Sequence, residues 1–160
     1  MQHIMYSKLV ILDSIRSAHN VGSIFRTSDG AGVEYIYICG YTPCPNDRFG
    51  RVQREILKTS LGASASVPWT RVVSGEEFGL FQKLKRDGYT IVAVEQAPEA
   101  VQLSEFTVPK KVAYILGNEI EGVSKEFLEV ADVILEIEMA GIKESLNVSV
   151  CAGIVLFRSQ

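Results

Sequence analysis

The chain has little that points to metal, disulfide or membrane chemistry. Its three cysteines, Cys39, Cys44 and Cys151, are odd in number and lack CxxC spacing. Neither a disulfide framework nor a metal site is expected, and a reducing cytosol is the natural compartment. No apolar run approaches the roughly 20 residues of a membrane span, and the opening residues MQHIMYSK lack a signal-peptide h-region. A cytoplasmic protein with no membrane partner and no bound metal is the expectation. Repeats, low-complexity tracts and linkers are missing too, and 160 residues suit one domain with a sizeable core, spanning 1–160, better than two. Nor is basic charge in surplus. The formal net charge of −3 gives no general affinity for nucleic acid, so any such binding has to come from a local patch.

What is present is a globular composition, 47% hydrophobic and 22% charged, arranged as alternating strand and helix patterns. KLVILD at 8–13 reads as a strand. Val21, Ile24, Phe25 and residues 28–31 recur at helical spacing with Gly32 as a stop, and EYIYICG at 34–40 is the next strand. Strand, helix and strand in about thirty residues form a βαβ unit, which implies a parallel sheet. Residues 41–50 read as loop, 51–59 as helix, VPWTRVV as a short strand around Trp69, and 74–87 as helix. YTIVAVE at 89–95 and KVAYIL at 111–116 are strands, 96–109 is mostly connection, and a helix is expected at about 125–130. The fold class is therefore α/β: a mainly parallel sheet of five or six strands with helices on both faces.

The stretch 134–157, ILEIEMAGIKESLNVSVCAGIVLF, organises the rest. Ile134, Leu135 and Ile137 alternate with Glu136 and Glu138 as a strand, Met139-Ala140-Gly141 is a bend, and Ser145 is the expected N-cap of a helix over 145–157. Strand, glycine turn and polar helix start make a small-molecule site, because the first helical N–H groups lack partners. An ordinary buried C-terminal helix explains the same residues. Two further polar clusters stand out. In NVGSIFRT, Asn20 read alone is a helix cap, whereas Arg26 in an apolar helix needs a partner or solvent. Gly117 to Gly122, GNEIEG, follows a strand at the end where α/β sheets bind ligands. Its Glu119 and Glu121 are open to acid–base chemistry, to a metal, or to a plain solvated turn. Finally, Arg48, Arg51, Arg54 and Lys58 cluster against Asp47 and Glu55, with Arg51, Arg54 and Lys58 expected on one helix side. They read as a phosphate-binding surface rather than a merely solvated face.

Taken in order, NxGxxxRT from Asn20, LGNExxG from Leu116 and MxGxxxSLNVSV from Met139 resemble the three motifs of the SpoU (TrmH-type) RNA ribose methyltransferases, members of the SPOUT class. KTSLGA from Lys58 is similar to a further family segment, and the resemblance covers about 9–157. Two residues depart from the pattern: Glu138 stands where the family usually has proline, and Cys151 where it has alanine. The resemblance implies a deep C-terminal trefoil knot at about 112–157, S-adenosylmethionine held in the knot loops, a tRNA or rRNA substrate, and a homodimer with sites built from both subunits. By position, Leu116, Gly117, Gly122, Ile137, Met139 and Leu146 would hold the cofactor. Asn20, Arg26, Glu119, Ser145 and Asn147 would be the catalytic and RNA-positioning residues. Methyl transfer from a sulfonium to a ribose 2′-hydroxyl needs alignment and loss of a proton but no metal, which is compatible with the missing ligand spacing. An arginine stays protonated under ordinary conditions, so Arg26 suits holding a phosphate and stabilising a developing alkoxide better than taking a proton. The apolar run NVSVCAGIVLF is too uniformly apolar for a surface helix and suits a core or an interface. An inactive knotted RNA-binding module and a base methyltransferase are the competing readings. The intact polar residues speak against the first, and NxGxxxRT against the second.

Overall fold

The computed structural model describes residues 5–158, so the outermost residues of the expected 1–160 domain lie outside it. The elements run β1 (Ser7–Asp13), α1 (Ala18–Gly30), β2 (Tyr35–Cys39), α2 (Arg54–Ser60), α3 (Ala63–Ser66), β3 (Trp69–Arg71) and α4 (Glu77–Arg86). They continue with β4 (Thr90–Val94), β5 (Val101–Gln102), β6 (Lys111–Leu116), α5 (Lys125–Val130), β7 (Val133–Glu136) and α6 (Val148–Phe157). Among the described residues all pairings between these strands are parallel, in the order β3-β2-β1-β6-β4-β7-β5.

The central strands are continuous apolar runs because both their faces are covered, as parallel sheets require. Val10, Leu12, Val112, Tyr114 and Leu116 point to one face, where α1, α2 and α6 supply Val21, Ile24, Phe25, Ile56, Val155 and Leu156. Leu9, Ile11, Ala113 and Ile115 point to the other, against Phe81 and Leu84 of α4 and Phe127 of α5. Phe81 and Phe127 meet edge to face at 4.9 Å, the geometry that ring quadrupoles favour. The chain runs out to β3 at one edge and returns to lay down β4 and β5. It then inserts β6 between β1 and β4, and β7 between β4 and β5. As a result, the loops after β1, β4, β6 and β7 gather at the carboxyl ends of neighbouring strands.

Several expectations need correction. The sheet has seven strands rather than five or six. The extra one, β5, lies in the segment read as connection, and its two residues are too few to show a period. It is a strand only because Val101 and Gln102 pair with Leu135 and Glu136. Helix α1 is capped by Ser17, whose hydroxyl accepts from the Asn20 N–H, so Asn20 lies inside the helix. Helix α6 is capped by Asn147 rather than Ser145, because the Asn147 side chain accepts from the Ser149 N–H. Arg51 precedes α2 instead of sharing a helix side with Arg54 and Lys58, since the loop ahead of the helix is held by its own turn.

Candidate active site

A pocket of about 690 Å³ opens at the carboxyl ends of β4, β6 and β7, and Leu116, Gly117, Gly122, Ile137, Met139 and Leu146 all line it. Its shape depends on two glycines. A Cβ on Gly117 would collide with the backbone of Gly122 and Val123, and one on Gly122 would run into the Glu95 carboxylate. Gly122 also sits at φ +73°, a left-handed conformation that side chains disfavour. The hairpin-like loop 117–123 is closed by reciprocal bonds between Asn118 and Gly122, each N–H donating to the other's carbonyl at 3.0 and 2.9 Å. Glu95, at the end of β4, accepts from the Val123 N–H at 2.9 Å and from the Gln96 N–H at 2.8 Å. Asp13 accepts from the Ser124 N–H at 2.7 Å. Burial pushes the Asp13 carboxyl above its ordinary range, against the pull of that Ser124 bond.

Beside this pocket the three polar clusters meet. Glu119 accepts from the Arg16 N–H at 2.9 Å, the Ser17 N–H at 3.1 Å and the Asn20 amide at 3.0 Å. The Asn147 amide donates to Asn20 Oδ1 at 3.2 Å. Asn147 Oδ1 in turn accepts from the Ser149 N–H at 2.8 Å and its hydroxyl at 2.6 Å. The donors therefore run in one direction, Asn147 to Asn20 to Glu119, which fixes both amides. Partial burial pushes the Glu119 carboxyl upward, but the Arg16, Asn20 and Ser17 donors outweigh it and hold the group below its usual range. Glu119 is thus a fixed anion over the start of α1, where the helix dipole also favours one. Ser145 lines the pocket next to Asn147.

The remaining expected residues lie elsewhere. Arg26 is exposed and outside the pocket lining, and among the described residues it has no hydrogen-bond or ion-pair partner. Helical spacing puts it on the outward stripe of α1. On one side of it is Gly22, pressed against Thr59 of α2; on the other are Thr27 and Gly30, which face Gly153 and Phe157 of α6. Solvent satisfies its charge. Arg48, Arg51, Arg54 and Lys58 are all exposed and away from the pocket, and Arg51 is paired with Asp47 at 2.7 Å. At the position of the family's proline, Glu138 accepts from the Ser104 N–H at 3.2 Å and from its hydroxyl, which holds the carboxyl below its ordinary range and ties the loop after β7 to the loop after β5.

Sequence reasoning missed Glu95 and Tyr41, and gave Asn118, inside the GNEIEG cluster, no role of its own. Asn118, buried at 6% exposure, donates to Ser14 O at 2.9 Å and to Tyr41 Oη at 2.7 Å, and accepts from the Ile120 and Glu121 N–H groups at 2.8 Å. A carboxylate closing the apolar strand YTIVAVE was the one available signal for Glu95. Nothing local marks Tyr41, whose partner lies 77 residues away. Among the described residues no three His, Cys, Asp or Glu side chains gather as a metal site needs, and no helix is long and apolar enough to cross a membrane.

A wholly parallel sheet with a glycine-shaped pocket and a directed polar network at its carboxyl edge defines an α/β protein built around a small-molecule site. The sequence pattern of the SpoU rRNA methylase family matches residues 7–157, and the chain belongs to that family; the knotted α/β fold goes with the membership. It is similar to the 23S rRNA (guanosine-2′-O-)-methyltransferase RlmB of Neisseria meningitidis, 32% identical over 92% of this chain and 56% of the relative. It is also similar to the tRNA (guanosine(18)-2′-O)-methyltransferase of Aquifex aeolicus, 33% identical over 95% of this chain and 68% of the relative. Among solved structures, an AdoMet-bound rRNA methyltransferase from Sinorhizobium meliloti superposes with a TM-score of 0.81 at 28% identity, covering 96% of this chain and 55% of that one. The chain thus spans between about half and two-thirds of the length of these relatives.

Proposed function

We propose that this chain is an S-adenosylmethionine-dependent methyltransferase that modifies a ribose 2′-hydroxyl of tRNA or rRNA and works as a homodimer, with residues 112–157 forming the cofactor-binding knot. The observation that carries the reading is the Glu119–Asn20–Asn147 network, which joins all three motifs at the edge of the glycine-shaped pocket. The residues present fit the cofactor: Leu116, Ile137 and Leu146 offer apolar walls for an adenine, and the tight approach at Gly117 and Gly122 leaves backbone groups to bond its edge. When bound, S-adenosylmethionine supplies an electrophilic methyl carbon on a sulfonium.

The protein's own part is alignment and charge. The fixed anion at Glu119 and the two locked amides hold the α1 and α6 starts together, so that Ser145 and Asn147 present their polar groups toward the incoming ribose. Arg26 holds the phosphate beside the target and stabilises the developing 2′-alkoxide through a charge-assisted hydrogen bond. Its place outside the pocket of its own chain supports a role in the partner subunit's site. The dimer reading is supported by α6, a helix without a charged residue whose Val150 and Phe157 remain 48% and 47% exposed. Such surface on an uncharged helix suits an interface, and α6 packs beside the stripe that carries Arg26. Arg48, Arg51, Arg54 and Lys58 contribute a basic surface for the RNA backbone. Calorimetry with S-adenosylmethionine, followed by mapping of ribose methylation in RNA from a strain lacking the chain, tests the reading. Binding plus loss of one 2′-O-methyl mark supports it. No binding at millimolar cofactor, or an unchanged methylation map, refutes it.

A further inference from the structure

A second groove, about 740 Å³, lies beside the loop between β2 and α2 and was not part of the site above; its walls include Tyr41, Asp47, Arg48, Arg51, Trp69 and Arg71. The loop is organised rather than slack. Asn46 and Val52 form an antiparallel bridge, the Gly50 N–H donates to Asp47 O at 2.9 Å, and the Gln53 N–H donates to Pro45 O at 2.8 Å. The Asp47 carboxylate accepts from the Phe49 and Arg51 N–H groups at 2.8 and 2.9 Å, and from the Arg51 guanidinium at 2.7 Å. This turn holds Phe49 out at 67% exposure, with the guanidiniums of Arg48 and Arg51 over its ring at 4.7 and 5.1 Å. At the base of the loop, Arg71 donates to Gly40 O at 2.5 Å and to Thr42 O at 2.8 Å. On the other wall Tyr41 is 59% exposed, yet its hydroxyl is fixed by Asn118, the neighbour of Glu119.

We infer that this groove is a subsite for an unpaired RNA nucleotide flanking the one that is methylated, with the base stacked on the Phe49-backed guanidinium planes. An exposed aromatic costs solvation free energy, and Phe49 stays 67% exposed with two arginines placed over its ring. Guanidiniums held over an aromatic ring offer planar groups on which bases stack, and their charge suits the adjoining phosphate. The lining charges favour an anion: Arg48, Arg51 and Arg71 stand against Asp47 alone. The link through Tyr41 and Asn118 places the subsite one hydrogen bond from the loop that carries Glu119. The groove therefore reads sequence or shape next to the target, which the pocket itself cannot do. This inference rests on the RNA-substrate reading above.

The test compares binding of the full chain to an eight-nucleotide unpaired oligoribonucleotide of mixed sequence and to an abasic ribose-phosphate of equal length. Trp69, the sole tryptophan, lines the groove and reports occupancy by fluorescence. The native chain should prefer the base-bearing strand by about fivefold or more, the usual strength of one stacked base. Phe49→Leu should reduce that preference toward one while leaving affinity for the abasic strand unchanged, since it alters no charge, and Arg48→Lys, which keeps the charge but loses the planar group, should reduce the preference likewise. A native preference near one, or a preference that survives both substitutions, overturns the proposal. So does a Phe49→Leu protein that turns monomeric by light scattering, which would make the groove an interface between copies. Base preference without cofactor binding would sink the methyltransferase reading alone; methyl transfer with no base preference would sink the subsite alone.

Discussion

Asn20→Asp changes one donor of the network into an anion while keeping its shape. The native amide donates to Glu119 Oε1 at 3.0 Å and accepts from Asn147 at 3.2 Å. The aspartate keeps the acceptor and turns an oxygen toward a carboxylate. Losing the charge-assisted bond costs about 1.5–3 kcal/mol. Two unit charges at that spacing repel by about 5 kcal/mol at an effective dielectric of about 20, but Glu119 is at the surface and keeps its backbone donors, so screening leaves about 1–2 kcal/mol. The pH dependence has a definite sign. Glu119 in the native protein is held below its usual range, so its contribution is complete above the unfolded carboxylate pKa and is lost as pH falls through the lower folded value. Two facing carboxylates instead raise one pKa, so the variant's penalty is complete above that raised value and shrinks as pH falls. The melting temperature should drop by about 5–15 °C at pH 8, and the gap to the native protein should narrow steadily toward pH 5. Methyl transfer should fall with it. Thermal melts of both proteins across that range decide the matter: a gap that is absent, or that stays constant with pH, refutes the network as the link between the motifs.

We predict that Gly122→Ala, which combines left-handed strain of about 1–2 kcal/mol with displacement of Glu95 from the Val123 N–H, weakens S-adenosylmethionine binding at least tenfold by calorimetry; unchanged affinity would show that this loop does not shape the cofactor pocket. Arg26→Ala should keep cofactor affinity and lose about a hundredfold to a thousandfold in single-turnover rate, with Arg26→Lys nearly as inactive because it lacks the planar fork; a rate above about a tenth of native, well short of that typical loss, returns Arg26 to a structural role. Val150→Glu places a charge on the outward face of α6 and should yield a monomer by light scattering with little loss of melting temperature, whereas a dimer that persists removes α6 from the interface.

The strand and helix segments, the α/β class and the three polar stretches were legible in the sequence, because each is written in local spacing. Continuous apolar runs mark β1, β4 and β6, and glycine turns after β6 and β7 mark where a ligand can approach. All six residues expected around the cofactor do line one pocket, since Leu116 ends β6 and the others lie on the loops after β6 and β7, strands that could be read. Helix starts were less secure: Ser145 and Asn147 are both good caps by residue type, and only the bond from the Ser149 N–H chose Asn147. Strand order, the existence of β5 and the meeting of Glu119 with Asn20 and Asn147 belong to the tertiary structure. Those two side-chain bonds cross 99 and 127 residues of sequence. A local period reports which face of an element is apolar but not which neighbour covers it, and hydrogen bonds between distant loops exist only once β6 has entered between β1 and β4.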